Sequence, residues 1–395
     1  MAEAFDVVVV GAGVVGASTA FHLAKLGNLK VCVLDQAGIC EGGTAKSCAI
    51  VRSHYSVVSN TQITLKSLEI FRHFSDWLES READCGFVNT GYLIVAPEGP
   101  RAEAMRIALG GQRGVGAETF ELSHAEAREK HPLLSLDDIA IAAYEPESGY
   151  ADPYLTTAGF LSAARDKGVV VRTKEAVRSV RLEGGRVTGV ETAKGGISAP
   201  VVVLACGPWS RPLVAPLGLD FRLEVSQHVV LTFAGNAPYD GRYPIVKDMT
   251  TENKMYFRPA SGDVALVGTG DHGAPIEAPA ELDENVGDDF VLLQGGQIGR
   301  RMPCFAEARL TASWVGAYDI TPDWNPVLGL VKGIEGLSLN YGFSGHGFKL
   351  APAIGLLLAQ EILGQPRDID ISGYDIGRFE RGEPLVGAYG EGSIS

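Results

Sequence analysis

The stretch FDVVVVGAGVVGASTAFHLAKLGNLKVCVLDQ, residues 5–36, decides the fold. Val7–Val10 is a β-branched run with no polar interruption, the pattern of a strand buried on both faces. Apolar residues then recur at helical spacing from Val14, and Gly27 marks the stop. KVCVLD, residues 30–35, is a second buried strand. Between the first strand and the helix stand Gly11, Gly13 and Gly16 in G-x-G-x-x-G spacing, and Asp35 ends the next strand about 20 residues on. Gly11 permits the tight turn, Gly13 lets the backbone approach a pyrophosphate, and Gly16 lets helix and strand pack. The phosphates rest on the helix N-terminus, where unpaired N–H groups and the dipole favour negative charge. Asp35 is the acceptor for ribose hydroxyls. The stretch predicts a βαβ dinucleotide-binding unit.

Working outward, EGGTAKSCAIVRSHYS (41–56) puts a Gly-Gly-Thr turn just past the ribose carboxylate, a second phosphate-contacting loop. With APVVVLACGPWS (199–210), the pattern fits flavoprotein oxidoreductases better than nicotinamide dehydrogenases. A second G-x-G-x-x-G run occurs at Gly268, Gly270 and Gly273. Prolines follow it instead of a helix, so the anion-binding N-terminus is missing and the run reads as a loop. One dinucleotide site is expected, not two.

The whole chain of 395 residues has ordinary globular composition, 46% hydrophobic and 21% charged, enough for two or three domains. A net charge of -14 argues against a nucleic-acid partner, which usually requires a basic patch. The six cysteines form no C-x-x-C pair and no zinc spacing with histidine, so reduced thiols and no metal are expected. The N-terminus lacks a basic leader, and no run reaches the ~20 apolar residues of a membrane span. A cytoplasmic protein is expected.

ITLKSLEIFRHFSDWLES (63–80) and YLTTAGFLSAARDKG (154–168) have helical periodicity, while GYLIVA (91–96) reads as a strand. A glycine hairpin follows in 176–195. Residues 220–310 alternate strand-like runs with polar turns and lack strand-helix alternation, so a mostly antiparallel sheet is expected there. The fold class is α/β plus α+β, with a Rossmann-like domain interleaved with the sheet domain. The first is assigned to 1–85, 146–220 and 311–378, the substrate-binding domain to 86–145 and 221–310. Residues 379–395 form a C-terminal tail, glycine-rich from Gly382 and loosely held.

KSCAIVRSHY (46–55), GYADPYLTTAGFLSAA (149–164), VVLACGPWS (202–210), WVGAYDITPDWNPVLG (314–329) and GFSGHGFKLAPAIG (342–355) follow the N-terminal turn in order. Together the chain resembles the D-amino-acid oxidase/glycine oxidase superfamily, nearest the sarcosine oxidase and dimethylglycine dehydrogenase branch. The resemblance implies FAD held at Gly11, Gly13, Val14, Val15 and Gly16, at Asp35 and Gln36, and along Gly43, Thr44, Ala45, Ser47, Cys48 and Ala49. It further implies contacts from Val177, Cys206, Gly207, Trp209, Gly316 and Asp319, and from Gly345, His346, Gly347, Phe348 and Lys349. In that branch an arginine and a lysine hold the substrate carboxylate; here they match Arg52 and Lys349. Tyr318 and Tyr256 match pocket tyrosines, and His346 lies near the flavin with a role in its reoxidation.

Three departures matter. The tethering cysteine of monomeric sarcosine oxidases is replaced by Gly316, so non-covalent FAD is expected. Their oxygen-activating lysine falls at Leu266 or Val267, which leaves oxidase and dehydrogenase both open. A flanking arginine and histidine correspond to Ala49 and Ala45, with Lys46 as a substitute charge. The resemblance implies hydride transfer from a carboxylate-bearing amine to flavin N5, giving an imine that hydrolyses. Electrons then pass to O2 or another acceptor, in a homo-oligomer or with a partner subunit. The competing readings are a 2-hydroxy acid dehydrogenase with His228 or His346 as base, and a flavin-carrying subunit of an electron-transfer complex.

Overall fold

The structure is a computed structural model that describes residues 3–219, 223–271 and 273–390. Val7–Val10, fully buried as its sequence demands, is the centre of a six-stranded sheet. The order is Val170–Arg172, Val31–Leu34, Val7–Val10, Val201–Leu204, Leu337–Tyr341 and Val327–Leu330. The first five strands are parallel and the last is antiparallel. Helices Val14–Gly27 and Gly347–Ile362 pack closely: a Cβ at Gly355 would collide with Ser18, whose hydroxyl donates to the Pro352 carbonyl at 3.1 Å. That carbonyl contact ties the two glycine-led helices of the cofactor side into one layer.

The second large sheet has nine strands from 92–145, 224–276 and 309–320. Its longest pairing joins Glu224–Ala234 to Arg309–Ile320, antiparallel, with Ser226 opposite Tyr318 and His228 opposite Gly316. Ile245–Asp248 runs parallel to Tyr92–Ala96 and antiparallel to Tyr256–Pro259. Residues 309–320 hydrogen-bond into this sheet, although the expected boundary placed 311–320 with the dinucleotide unit; the strand is the seam between the two.

Three features differ from the sequence reading. Helix Asp288–Arg301 forms inside the region read as sheet and turn, and helix Pro100–Gly114 forms in 86–145, assigned to the sheet domain with no helix expected. Each carries a Gly-Gly pair, which weakens the helical signal, and each is held by burying one stripe, such as Met105 and Leu109 or Gln294 and Ile298. The amphipathic run after Ile63 breaks at His73 into Val58–Arg72 and Phe74–Leu78. The segment after Gly382 is anchored rather than loose: Leu385 N–H donates to Asp323 at 2.9 Å, and the Tyr389 hydroxyl meets His54 Nε2 at 2.8 Å. Residues 391–395 lie outside the described residues. Among the described residues all six cysteines are free, no metal-binding cluster occurs, and no helix is long and apolar enough to cross a membrane.

Candidate active site

The glycine turn opens a cleft of about 370 Å³ between the two sheets. Gly11, at φ 111°, takes a conformation that side chains avoid, and a Cβ there would collide with the Ala205 carbonyl. A Cβ at Gly16 would collide with the Gly11 carbonyl, so that glycine serves packing. Gly13 is the N-cap of the helix and gives no side-chain cap, and the Val14 N–H donates to Thr44 Oγ1 at 3.2 Å. The first-turn amides beyond it have no intrahelical acceptor. Asp35 is braced by the Ala12 and Ala37 N–H groups at 2.7 and 2.8 Å, and it lines the cleft. Asn340 also lines it, and its buried amide has no hydrogen-bond partner among the described residues. A glycine cradle, a helix N-terminus, a fixed carboxylate and an unmet amide suit a ligand with phosphates, ribose and a polar ring.

A smaller cavity of about 100 Å³ adjoins the cleft; Ser47, Tyr318 and Gly345 line both. Arg52 leaves the short strand Ile50–Val51, and Lys349 leaves the first turn of Gly347–Ile362. Both are buried, 7% and 8% exposed, and both line this cavity. Arg52 donates to the His54 carbonyl and stacks over Tyr55, 4.6 Å from the ring centre. Burial opposes its charge, but Tyr92, Tyr55 and Glu145 outweigh that and hold it above the ordinary arginine range. Lys349 has only Cys48 acting in its favour. Burial, then Arg52, push it well below the usual lysine range. His346, hydrogen-bonded to Tyr55 at 2.7 Å, is held neutral by burial and then by Lys349 and Arg52.

Backbone strain gathers here. Of the eight non-glycine residues with positive φ among the described residues, Ala49, Lys254, Trp324 and Ser344 line this cavity. Such conformations cost about 1–3 kcal/mol each and persist where surroundings enforce them, often at functional sites. On the cleft side His228 stacks on Tyr318, 4.3 Å between centres at 13°, and meets the Tyr256 hydroxyl at 2.9 Å. That hydroxyl lies 3.2 Å from Cys48 Sγ.

Gly11, Gly13, Val14, Val15, Asp35, Gln36, Gly43, Thr44, Ser47, Val177, Cys206, Gly207, Trp209, Gly316, Asp319, Gly345, Gly347 and Phe348 line the cleft. Cys48, Ala49, Arg52, Tyr256, His346 and Lys349 line the cavity, and Tyr318 lines both. Gly16 and Ala45 line neither: Gly16 is packed beneath the turn and Ala45 is exposed. Leu266 packs with Cys48 and Val230 in an apolar cluster outside the lining. Lys46 lines the cleft, half-exposed, with Glu284 at 3.9 Å. Sequence reasoning missed Lys247, Lys254 and Tyr92, which also line the cavity. Lys247 was marked by a signal that passed unused, a lysine inside the apolar strand Ile245–Asp248.

The FAD dependent oxidoreductase family model matches residues 6–361. The chain is 27% identical to 4-methylaminobutanoate oxidase (formaldehyde-forming) of Paenarthrobacter nicotinovorans, over 94% of this chain but 45% of that protein. It is 27% identical to the sarcosine oxidase subunit beta of an Arthrobacter species, over 100% of this chain and 95% of that one. Among solved structures, L-proline dehydrogenase from P. horikoshii is similar with a TM-score of 0.89 at 26% identity, covering 97% of this chain and 100% of that one. The chain belongs to the FAD-dependent oxidoreductase family, an enzyme whose cofactor is FAD.

Proposed function

We propose that the protein oxidises the C–N bond of a small amine bearing a carboxylate: an N-alkyl, imino or amino acid. The observation that carries this reading is that Arg52 and Lys349, distant in sequence, are both buried and line one cavity adjoining the cofactor cleft. A carboxylate entering a dry site is favoured where cationic donors meet it with hydrogen bonds. Lys349 sits at the positive end of its helix, where a cation is disfavoured and an anion attracted. A bound carboxylate relieves both that repulsion and the repulsion from Arg52.

FAD, when bound, accepts the hydride equivalent lost from the carbon beside nitrogen. The residues of the cleft margin and cavity do the rest. Arg52 and Lys349 fix the carboxylate, and Tyr318, common to both spaces, sets the distance between anchor and cleft. Positive charge in the cavity disfavours an ammonium, so the amine binds neutral with its lone pair available, and no strong base is required. Holding reactants in this alignment supplies several of the roughly 7–11 kcal/mol available from positioning. The imine product is hydrolysed by water.

Gly316 offers no thiol, which supports non-covalent FAD. The apolar packing of Leu266 gives the cofactor no lysine from that strand, which supports transfer of electrons to an acceptor other than O2. Similarity to a sarcosine oxidase β subunit supports a partner subunit as its source. In Lys349→Met, KM for a carboxylated amine rises at least about ten-fold, the loss of one charge-assisted contact, while FAD stays bound. An unchanged KM contradicts the clamp.

A further inference from the structure

The cavity holds more basic side chains than one carboxylate can pair with. Arg52, Lys247, Lys254 and Lys349 line it, and no aspartate or glutamate does. Glu145 influences Arg52 from behind the lining, and Asp271 influences Lys247 from outside it. Lys247 is 6% exposed, with Arg52 and Lys254 acting against its charge and Asp271 in its favour. Its near neighbour is the Tyr256 ring, 5.5 Å away. A buried charge is retained where something pairs with it. With one carboxylate on Arg52 and Lys349, Lys247 and Lys254 still lack an anion inside the cavity.

Two backbone features serve these lysines. Gly270, from the second G-x-G-x-x-G run, has no positive φ, so conformational freedom does not explain it. A Cβ there would lie 2.9 Å from Lys247 Nζ and 2.9 Å from Lys254 Cβ, so the glycine clears room for both side chains. Lys254 is held at φ 49°, a left-handed conformation that costs about 1–2 kcal/mol. Its turn is closed by its N–H on the Thr251 carbonyl at 3.3 Å. Strain at that lysine and a missing Cβ beside both of them meet at one wall of the cavity.

We infer that Lys247 and Lys254 form a second carboxylate subsite, and that the substrate is a dicarboxylic amine with one carboxylate on Arg52 and Lys349 and the other on this pair. This rests on the carboxylate-bearing amine reading and names its substrate class. Burial and the neighbouring Arg52 and Lys254 hold the Lys247 ammonium down at about 7, so an arriving anion is what restores its charge.

The test uses the FAD-loaded protein and redox-inert acids, followed by the change in flavin absorption. The series malonate, succinate, glutarate is compared with acetate, propionate, butyrate. The best diacid binds at least about ten-fold tighter than the best monoacid. In Lys247→Met the diacid loses more than the monoacid, and the ratio collapses towards one. Lys254→Met, at the more exposed lysine, lowers the same ratio and serves if the first variant does not fold. Lys349→Met weakens both series. Equal binding of diacids and monoacids by the unaltered protein, or a ratio unmoved by both lysine variants, overturns the second subsite and leaves the clamp standing. Binding of neither series, or no effect of Lys349→Met, overturns the clamp itself.

Discussion

Arg52 and Lys349 were singled out because the runs IVR and GHGFK resemble those of the sarcosine oxidase branch, and both side chains line one cavity. Lys247 was not. In IVKD it looks like a polar slip in a strand, and only the pairing with Tyr92–Ala96 and Tyr256–Pro259 turns it towards the cavity. Charge makes its role measurable. Lys247 faces Arg52, Lys254, Lys349, Asp271 and the Tyr256 ring, and its pKa is lowered to about 7 by burial first and by the cations second. At about pH 8 it is mostly neutral, and a bound anion raises its pKa, so binding takes up protons from buffer. Calorimetry of diacid binding in buffers of different ionisation heat gives net uptake at about pH 8, reduced in Lys247→Met. Release of protons on binding contradicts the assignment.

At the scale of elements, the strand–glycine–helix–strand unit was readable because period, turn glycines and terminal carboxylate all agree. The helices Pro100–Gly114 and Asp288–Arg301 were not, because paired glycines dilute local preference and tertiary burial decides. The second of these ends in Arg301, which fastens the Lys247 strand. Its guanidinium meets Asp248 at 2.8 Å, Asp138 at 2.8 Å and Thr250 at 2.9 Å, with both Arg301 and Asp248 inaccessible to solvent. Removing one partner of such a pair strands the other's charge. Arg301→Met therefore lowers stability by about 3–5 kcal/mol in urea unfolding, and the cavity loosens with it. A loss below about 1 kcal/mol, the range of an exposed pair, contradicts this role.

At the scale of the whole molecule, the strand of residues 309–320 is the seam between the large sheet and the cofactor cleft. Residues 309–320 run along the edge of the large sheet while Gly316, Tyr318 and Asp319 line the cofactor cleft, so one strand serves both. Nothing local marks that double duty; it follows from a long antiparallel pairing with Glu224–Ala234. The anchored segment at Leu385 and Tyr389 was hidden for the same reason, since its partners Asp323 and His54 are remote in sequence. The seam brings the cavity against the cleft, and the proposed chemistry depends on that adjacency: Arg52 and Lys349 would hold the carboxylate beside the cleft in which FAD would lie. The direct test is anaerobic mixing of the FAD-loaded protein with a carboxylated amine and with the matching carboxamide, followed by loss of the oxidised flavin band. The account predicts that the acid bleaches the flavin and that the amide does so at least about a hundred-fold less efficiently, two charge-assisted contacts being lost. Equal bleaching by acid and amide would contradict it.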